Sequence, residues 1–81
     1  MTDKAKDLLS KILNVPTDEI SDDSSAENTR GWDSLVIMQL LVTLEEEFDI
    51  RISIKDVDFL KSISGINHLI EIGQEAEKGN Q

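Results

Sequence analysis

Every strong apolar periodicity in this 81-residue chain repeats at about 3.6 residues, the period of an α-helix. The one segment that alternates instead, Asp49-Ile50-Arg51-Ile52-Ser53-Ile54, has no second segment to pair with. A lone strand leaves its backbone donors and acceptors unsatisfied, so the segment is expected as an extended linker, with Ile50, Ile52 or Ile54 plugging the end of a helical bundle. The fold class is therefore all-α. Length allows one domain over 1–81, burying about 60% of the unfolded surface, which gives a modest core and marginal stability.

Ala5, Leu8, Leu9, Ile12 and Leu13 fall at i, i+3, i+4, i+7 and i+8 and predict a first helix over about 2–14, with Thr2 or Asp3 as its cap. Pro16 ends it, because the residue before a proline is pushed out of the α region. From Pro16 to Arg30 the chain turns to Thr, Asp, Glu, Ser and Asn. This reads as a long loop with a short turn near Ser24 to Asn28, anchored by Ile20, that swings the chain back to the start of a second helix over about 35–48. Beyond the linker come a short helix over about 55–60 and a last one over about 63–77, capped by Ser62, with Ile63, Ile66, Leu69 and Ile70 turned inward. Residues 79–81 read as a frayed end. The expected architecture is a small four-helix bundle, three longer helices and one short, with a long first loop.

The second helix has two apolar faces. Ile37, Leu40, Leu41, Leu44 and Phe48 form a stripe for the core. Leu35, Met38 and Val42 form another, well round the helix at about 100° per residue, with Glu45 and Glu46 on or beside it. Either another helix of the bundle covers this second stripe, or it is a partner surface with an acidic rim.

Ser34 stands where the N-cap of this helix is expected, its hydroxyl accepting from first-turn amides. A phosphate on the same oxygen would also be well placed, since free N–H groups and the positive end of the helix dipole converge there. Asp33 adds a carboxylate that could hold a cation or a basic partner. A hydrolase triad drawn from Ser34, His68 and an acid is set aside: the single histidine lies on the last helix, the domain is too small for a deep pocket, and no nucleophile-elbow pattern is present. Asp56-Val57-Asp58 begins like a calcium loop, but Lys61 stands where the sharp-turn glycine belongs and Asn67 where the bidentate glutamate belongs. No metal site is expected.

The formal net charge of −9 argues against nucleic acid and anionic membranes and favours basic protein partners reached by electrostatic steering. Cysteine is absent, which removes disulfides, thiolate nucleophiles and Cys-ligated metals. No apolar run reaches membrane-spanning length and no signal peptide is read, so a cytoplasmic monomer is expected.

Asp33-Ser34-Leu35, opening a helix that ends Leu44-Glu45-Glu46-Glu47-Phe48-Asp49-Ile50, resembles the acyl carrier proteins and their relatives, the peptidyl and D-alanyl carriers. The resemblance covers nearly the whole chain. It implies a carrier rather than an enzyme, with 4′-phosphopantetheine attached to Ser34 and cargo held on its thiol as a thioester. A phosphopantetheinyl transferase would move the group from coenzyme A in a Mg²⁺-requiring step, and loading and downstream enzymes with basic docking surfaces would follow. Leu35, Met38 and Val42 would be the apolar centre of the docking face, and Asp33, Glu45, Glu46, Asp56 and Asp58 its rim. The resemblance also implies that the short acidic helix faces the prosthetic arm. The chain departs from the fatty-acid carriers at Ala26, Thr29 and Arg30, where apolar loop anchors are usual, at Trp32, expected to pack on the bundle end in their place, and at Gln39, where an acid is common. These differences look more like free-standing carriers of specialised pathways. An aminoacyl or peptidyl carrier is the nearest alternative, and an unmodified acidic helical adaptor the rival from another class.

Overall fold

The computed structural model describes residues 3–79, with the side chains of the last helix described as far as Gln74. The chain forms α1 (Lys4–Leu13), a short 3₁₀ turn (Thr17–Glu19), α2 (Ser34–Phe48), a 3₁₀ helix (Ile54–Lys61) and α3 (Ile63–Gly79). The four-helix architecture is as expected.

Every helix contributes to one core. Leu9 from α1, Leu40 and Leu44 from α2, Leu60 from the 3₁₀ helix and Ile63 and Ile66 from α3 are its largest fully enclosed side chains. Leu69 and Ile70 are buried behind them, and Leu41 and Phe48 pack at the edge. Ile20 anchors the first loop as expected. Among the three linker isoleucines Ile52 is the plug, Ile50 is half-buried, and Ile54 points outward at 89% exposure.

Helix ends account for the boundaries. Asp3 caps α1, its Oδ1 accepting from the Lys6 amide at 3.1 Å; the alternative cap, Thr2, lies outside the described residues. α1 ends where Asn14 turns left-handed at φ 59°. Ser62 caps α3 by accepting from the Gly65 amide at 3.0 Å. α3 runs to Gly79, the first residue of the expected frayed end, and 80–81 lie outside the described residues.

The cap of α2 corrects the sequence reading. Asp33, not Ser34, is the N-cap: its Oδ1 accepts from the Val36 amide at 3.1 Å and its carbonyl from the Ile37 amide at 2.9 Å. Ser34 is the first helical residue. Asp and Ser are comparably good caps, and the upstream residue wins because Gly31, at φ 88°, turns the chain so that Asp33 arrives extended.

The expected short α-helix over 55–60 is a 3₁₀ helix one residue longer at each end. The linker before it is tied to α2, and its last turn to the residue just ahead of the α2 cap. The Glu45 carboxylate accepts from the Ile52 amide at 2.9 Å, and the Trp32 indole N–H donates to the Leu60 carbonyl at 3.1 Å. At about 2.0 Å rise per residue, eight 3₁₀ residues span about 16 Å, where an α-helix would cover about 12 Å. Packing of α3 against this helix is equally tight: a Cβ on Gly65 would come within 2.1 Å of the Phe59 carbonyl oxygen, so only glycine fits there.

The long first loop is built rather than slack. The Ala26 amide donates to the Lys61 carbonyl at 2.8 Å and the Ile63 amide to the Ser24 carbonyl at 3.1 Å, pairing Ser25 with Ser62. Ser24 is buried, accepting from the Ser21 amide at 2.9 Å. The expected turn between Ser24 and Asn28 is present, closed by the Asn28 amide on the Ser25 carbonyl. Lys6 reaches from α1 to Asp22 at 2.8 Å, and the hydrogen bond and charge of Asp22, with the charge of Asp3 added, hold the Lys6 pKa above its ordinary value.

Candidate functional site

Ser34 stands on the surface at the first turn of α2, flanked by exposed Asp33 and Leu35. Asp33 meets the capping requirement, and among the described residues no hydrogen bond engages the Ser34 hydroxyl. The Val36 and Ile37 amides are satisfied by Asp33, which leaves those of Ser34 and Leu35 without intrahelical partners. Their N–H groups and the positive end of the dipole of a 15-residue helix fall where a phosphate ester on Ser34 Oγ would sit. The residues present thus suit a phosphodiester-linked group at this position.

Trp32 holds this end of α2 in place, and Gly31 sets its direction. Trp32 is buried at the bundle end, as expected from the sequence, and its indole hydrogen bond brings the C-terminal end of the 3₁₀ helix beside the start of α2. Gly31 turns the chain into the helix at φ 88°, where a Cβ would meet the Leu13 side chain at 3.6 Å, an ordinary contact, so that the backbone angle rather than space is what favours glycine.

The second apolar stripe is uncovered. Leu35, Met38 and Val42 are 67%, 47% and 52% exposed. Their exposure removes one of the two readings open in the sequence: no helix among the described residues covers them. Beside them, Lys11 and Ile12 of α1 join Met38, Gln39, Val42 and Thr43 around an open groove of about 550 Å³.

The acidic residues divide. Glu46 is exposed, whereas Glu45 is half-buried and holds the Ile52 amide. Asp56 accepts from the Ser53 hydroxyl at 3.1 Å, and Asp58 pairs with Lys61 at 2.9 Å. Asp33 is exposed but committed through one oxygen to the cap. Sequence reasoning missed the Glu45 tether and the exposed Phe59, whose ring lies 4.8 Å from that of His68. Helical spacing carries no signal for either, since both depend on where the linker crosses α2 and where the 3₁₀ helix meets α3.

Comparison with known proteins bears on this geometry. Residues 3–70 match the family model described as the phosphopantetheine attachment site. The chain belongs to this carrier family. A relative from Buchnera aphidicola, named acyl carrier protein, is 42% identical over 69 residues, 80% of this chain and 87% of its own length. Proteins of the same name from Bdellovibrio bacteriovorus and Sulfurovum are 34% and 33% identical, covering 84% and 85% of this chain and 87% and 92% of their own lengths. The chain is accordingly a phosphopantetheine-bearing acyl carrier and not an enzyme. Among the described residues no helix is long and apolar enough to cross a membrane.

Proposed function

We propose that Ser34 carries the 4′-phosphopantetheine, and that this chain presents acyl cargo, held as a thioester on the group's thiol, to biosynthetic enzymes. The observation that carries the reading is the exposed Ser34 hydroxyl, free of the capping bond that Asp33 makes instead, at the head of a 15-residue helix. The bound group supplies the thiol. The chain supplies the rest: Asp33 and Gly31 set the helix start, the Ser34 and Leu35 amides face the phosphate, and Trp32 fixes this end against the 3₁₀ helix.

Enzymes dock, in this reading, on Leu35, Met38 and Val42, within reach of Ser34 along one face of α2. Asp33, Glu46, Asp56 and Asp58 make an acidic rim that steers basic surfaces towards the serine. Glu45 stands at the edge of that rim, with its carboxylate engaged by the linker. The partners are a phosphopantetheinyl transferase and the enzymes that load and use the cargo, and the carrier works as a cytoplasmic monomer.

The test is the intact mass of the protein after co-expression with a broad-specificity phosphopantetheinyl transferase. The wild type is expected to gain the phosphopantetheine mass, and Ser34→Ala to gain none while losing no more than about 0.5 kcal/mol of stability, because the cap belongs to Asp33. A wild type that stays unmodified returns the chain to the adaptor reading. A modified alanine variant moves the attachment elsewhere.

A further inference from the structure

The exposed strip on α2 does not end at α2. Met38 and Val42 form one wall of the groove, and the opposite wall comes from α1, where Ile12 faces inward and Lys11 stands exposed. Gln39 and Thr43, both uncharged, complete the groove's lining. The groove therefore has apolar side chains on both walls and one cation, in a protein of net charge −9. Among the described residues Lys11 makes no ion pair, unlike Lys6 one turn and a half earlier, which is held between Asp3 and Asp22.

We propose that the docking surface straddles α1 and α2, and that Lys11 makes its middle selective for an enzyme surface presenting an apolar side chain next to a carboxylate. The apolar side chain seats between Ile12, Met38 and Val42, and the carboxylate meets the Lys11 ammonium. The same enzyme surface carries its basic residues further out, opposite Glu46 and the acids nearer Ser34. This rests on the docking face proposed above and adds its charge pattern: acidic at the periphery, cationic in the groove. An enzyme uniformly basic across its docking surface is attracted at long range but meets a like charge where its contact should be closest, which costs association rate and selects against it.

The difference is measurable with a broad-specificity phosphopantetheinyl transferase whose docking surface is basic, coenzyme A, and the unmodified carrier. Lys11→Glu is expected to accelerate modification of Ser34 by about three- to tenfold at low salt, with the gain fading as salt screens it. Lys4→Glu, an identical charge change at the other end of α1 on a residue stacked over the Phe48 ring, measures the effect of net charge alone and should give a clearly smaller gain. Ile12→Ser is expected to slow transfer at every salt concentration, with circular dichroism and melting temperature confirming that the fold is retained. Equal gains for Lys11→Glu and Lys4→Glu, or none for either, overturn the proposal. So does an unchanged rate for a folded Ile12→Ser. If Ile12→Ser unfolds, Ile12→Thr replaces it with the same expectation. A wild type that is never modified defeats the carrier reading itself, an outcome distinct from all of these.

Discussion

The two faces of α2 are made from the same kinds of side chain and do opposite things. Inward, Leu40 and Leu44 have no exposed surface; outward, Leu35, Met38 and Val42 keep about half or more of theirs. Hydrophobicity alone does not separate them, because neighbouring residues on one helix alternate between the two groups. What separates them is cover. α1, α3 and the 3₁₀ helix close over one face, and the other side of the helix is left with apolar area that a domain of marginal stability would otherwise gain by burying. That exposed strip begins beside Ser34, so the surface that costs the fold its burial lies where, on the function proposed above, enzymes approach.

The largest expected effect tests this division directly. Leu40→Ala should destabilise the protein by about 2–5 kcal/mol, read from chemical denaturation, since it empties a fully enclosed site. Met38→Ser, two residues away, should change stability by no more than about 0.5 kcal/mol and yet slow phosphopantetheine transfer at all salt concentrations. If Met38→Ser proved as destabilising as Leu40→Ala, the outward face would be structural and the distinction between the faces would fail.

Trp32→Phe comes next. It keeps an aromatic ring in the buried site but removes the indole N–H that satisfies the Leu60 carbonyl, at an expected cost of about 1–3 kcal/mol. Because that bond links the start of α2 to the end of the 3₁₀ helix, the same variant should slow transfer to Ser34 by loosening the geometry around it. Unchanged transfer with lowered stability would confine Trp32 to the core.

How much of this was legible in the sequence follows from what periodicity encodes. Spacing reports which residues share a face of one helix, so the core stripe, the second stripe and the inward residues of α3 could all be read without coordinates. Composition and proline located the long loop. Periodicity says nothing about contacts between segments, and the missed features are of that kind: the pairing of Ser25 with Ser62, the Glu45 carboxylate on the Ile52 amide, and the 3₁₀ geometry pinned between two such ties. The cap was misassigned by one residue for a related reason. Asp33 and Ser34 are both good capping residues, and which one serves is settled by the left-handed turn at Gly31, a backbone property with no side chain to announce it.

The acids repeat the comparison at smaller scale. Glu45 and Glu46 are adjacent and identical in charge, but one holds the linker and the other faces solvent. Glu45→Ala should cost about 1–2 kcal/mol and speed hydrogen exchange at the Ile52 amide, as expected for loss of a charge-assisted hydrogen bond at a half-buried site. Glu46→Lys should leave exchange at Ile52 unchanged and lower the transfer rate at low salt only. A rim test that reverses both glutamates together would confound the two roles, so the charges have to be changed singly.

The smallest expected effect contrasts two lysines of α1. Lys6 bridges Asp3 and Asp22 and so ties α1 to the first loop, while Lys11 stands in the groove without an ion pair among the described residues. The Asp22 hydrogen bond raises the folded-state pKa of Lys6 above the ordinary lysine value of 10.5. A group whose pKa is raised on folding contributes its stability in full below the unfolded-state value and loses it as pH climbs through the folded-state value. The contribution is therefore constant through neutral and mildly alkaline pH and fades only above the ordinary lysine range. Lys6→Met should accordingly lower the melting temperature slightly at pH 7 and should flatten the alkaline decline relative to wild type, whereas Lys11→Met should leave the melting temperature at pH 7 unchanged. Identical alkaline profiles for wild type and Lys6→Met would mean that the bridge to Asp22 is too well solvated to couple protonation to folding, and that the first loop is held by the burial of Ile20 and its backbone pairing to Lys61 and Ile63 instead.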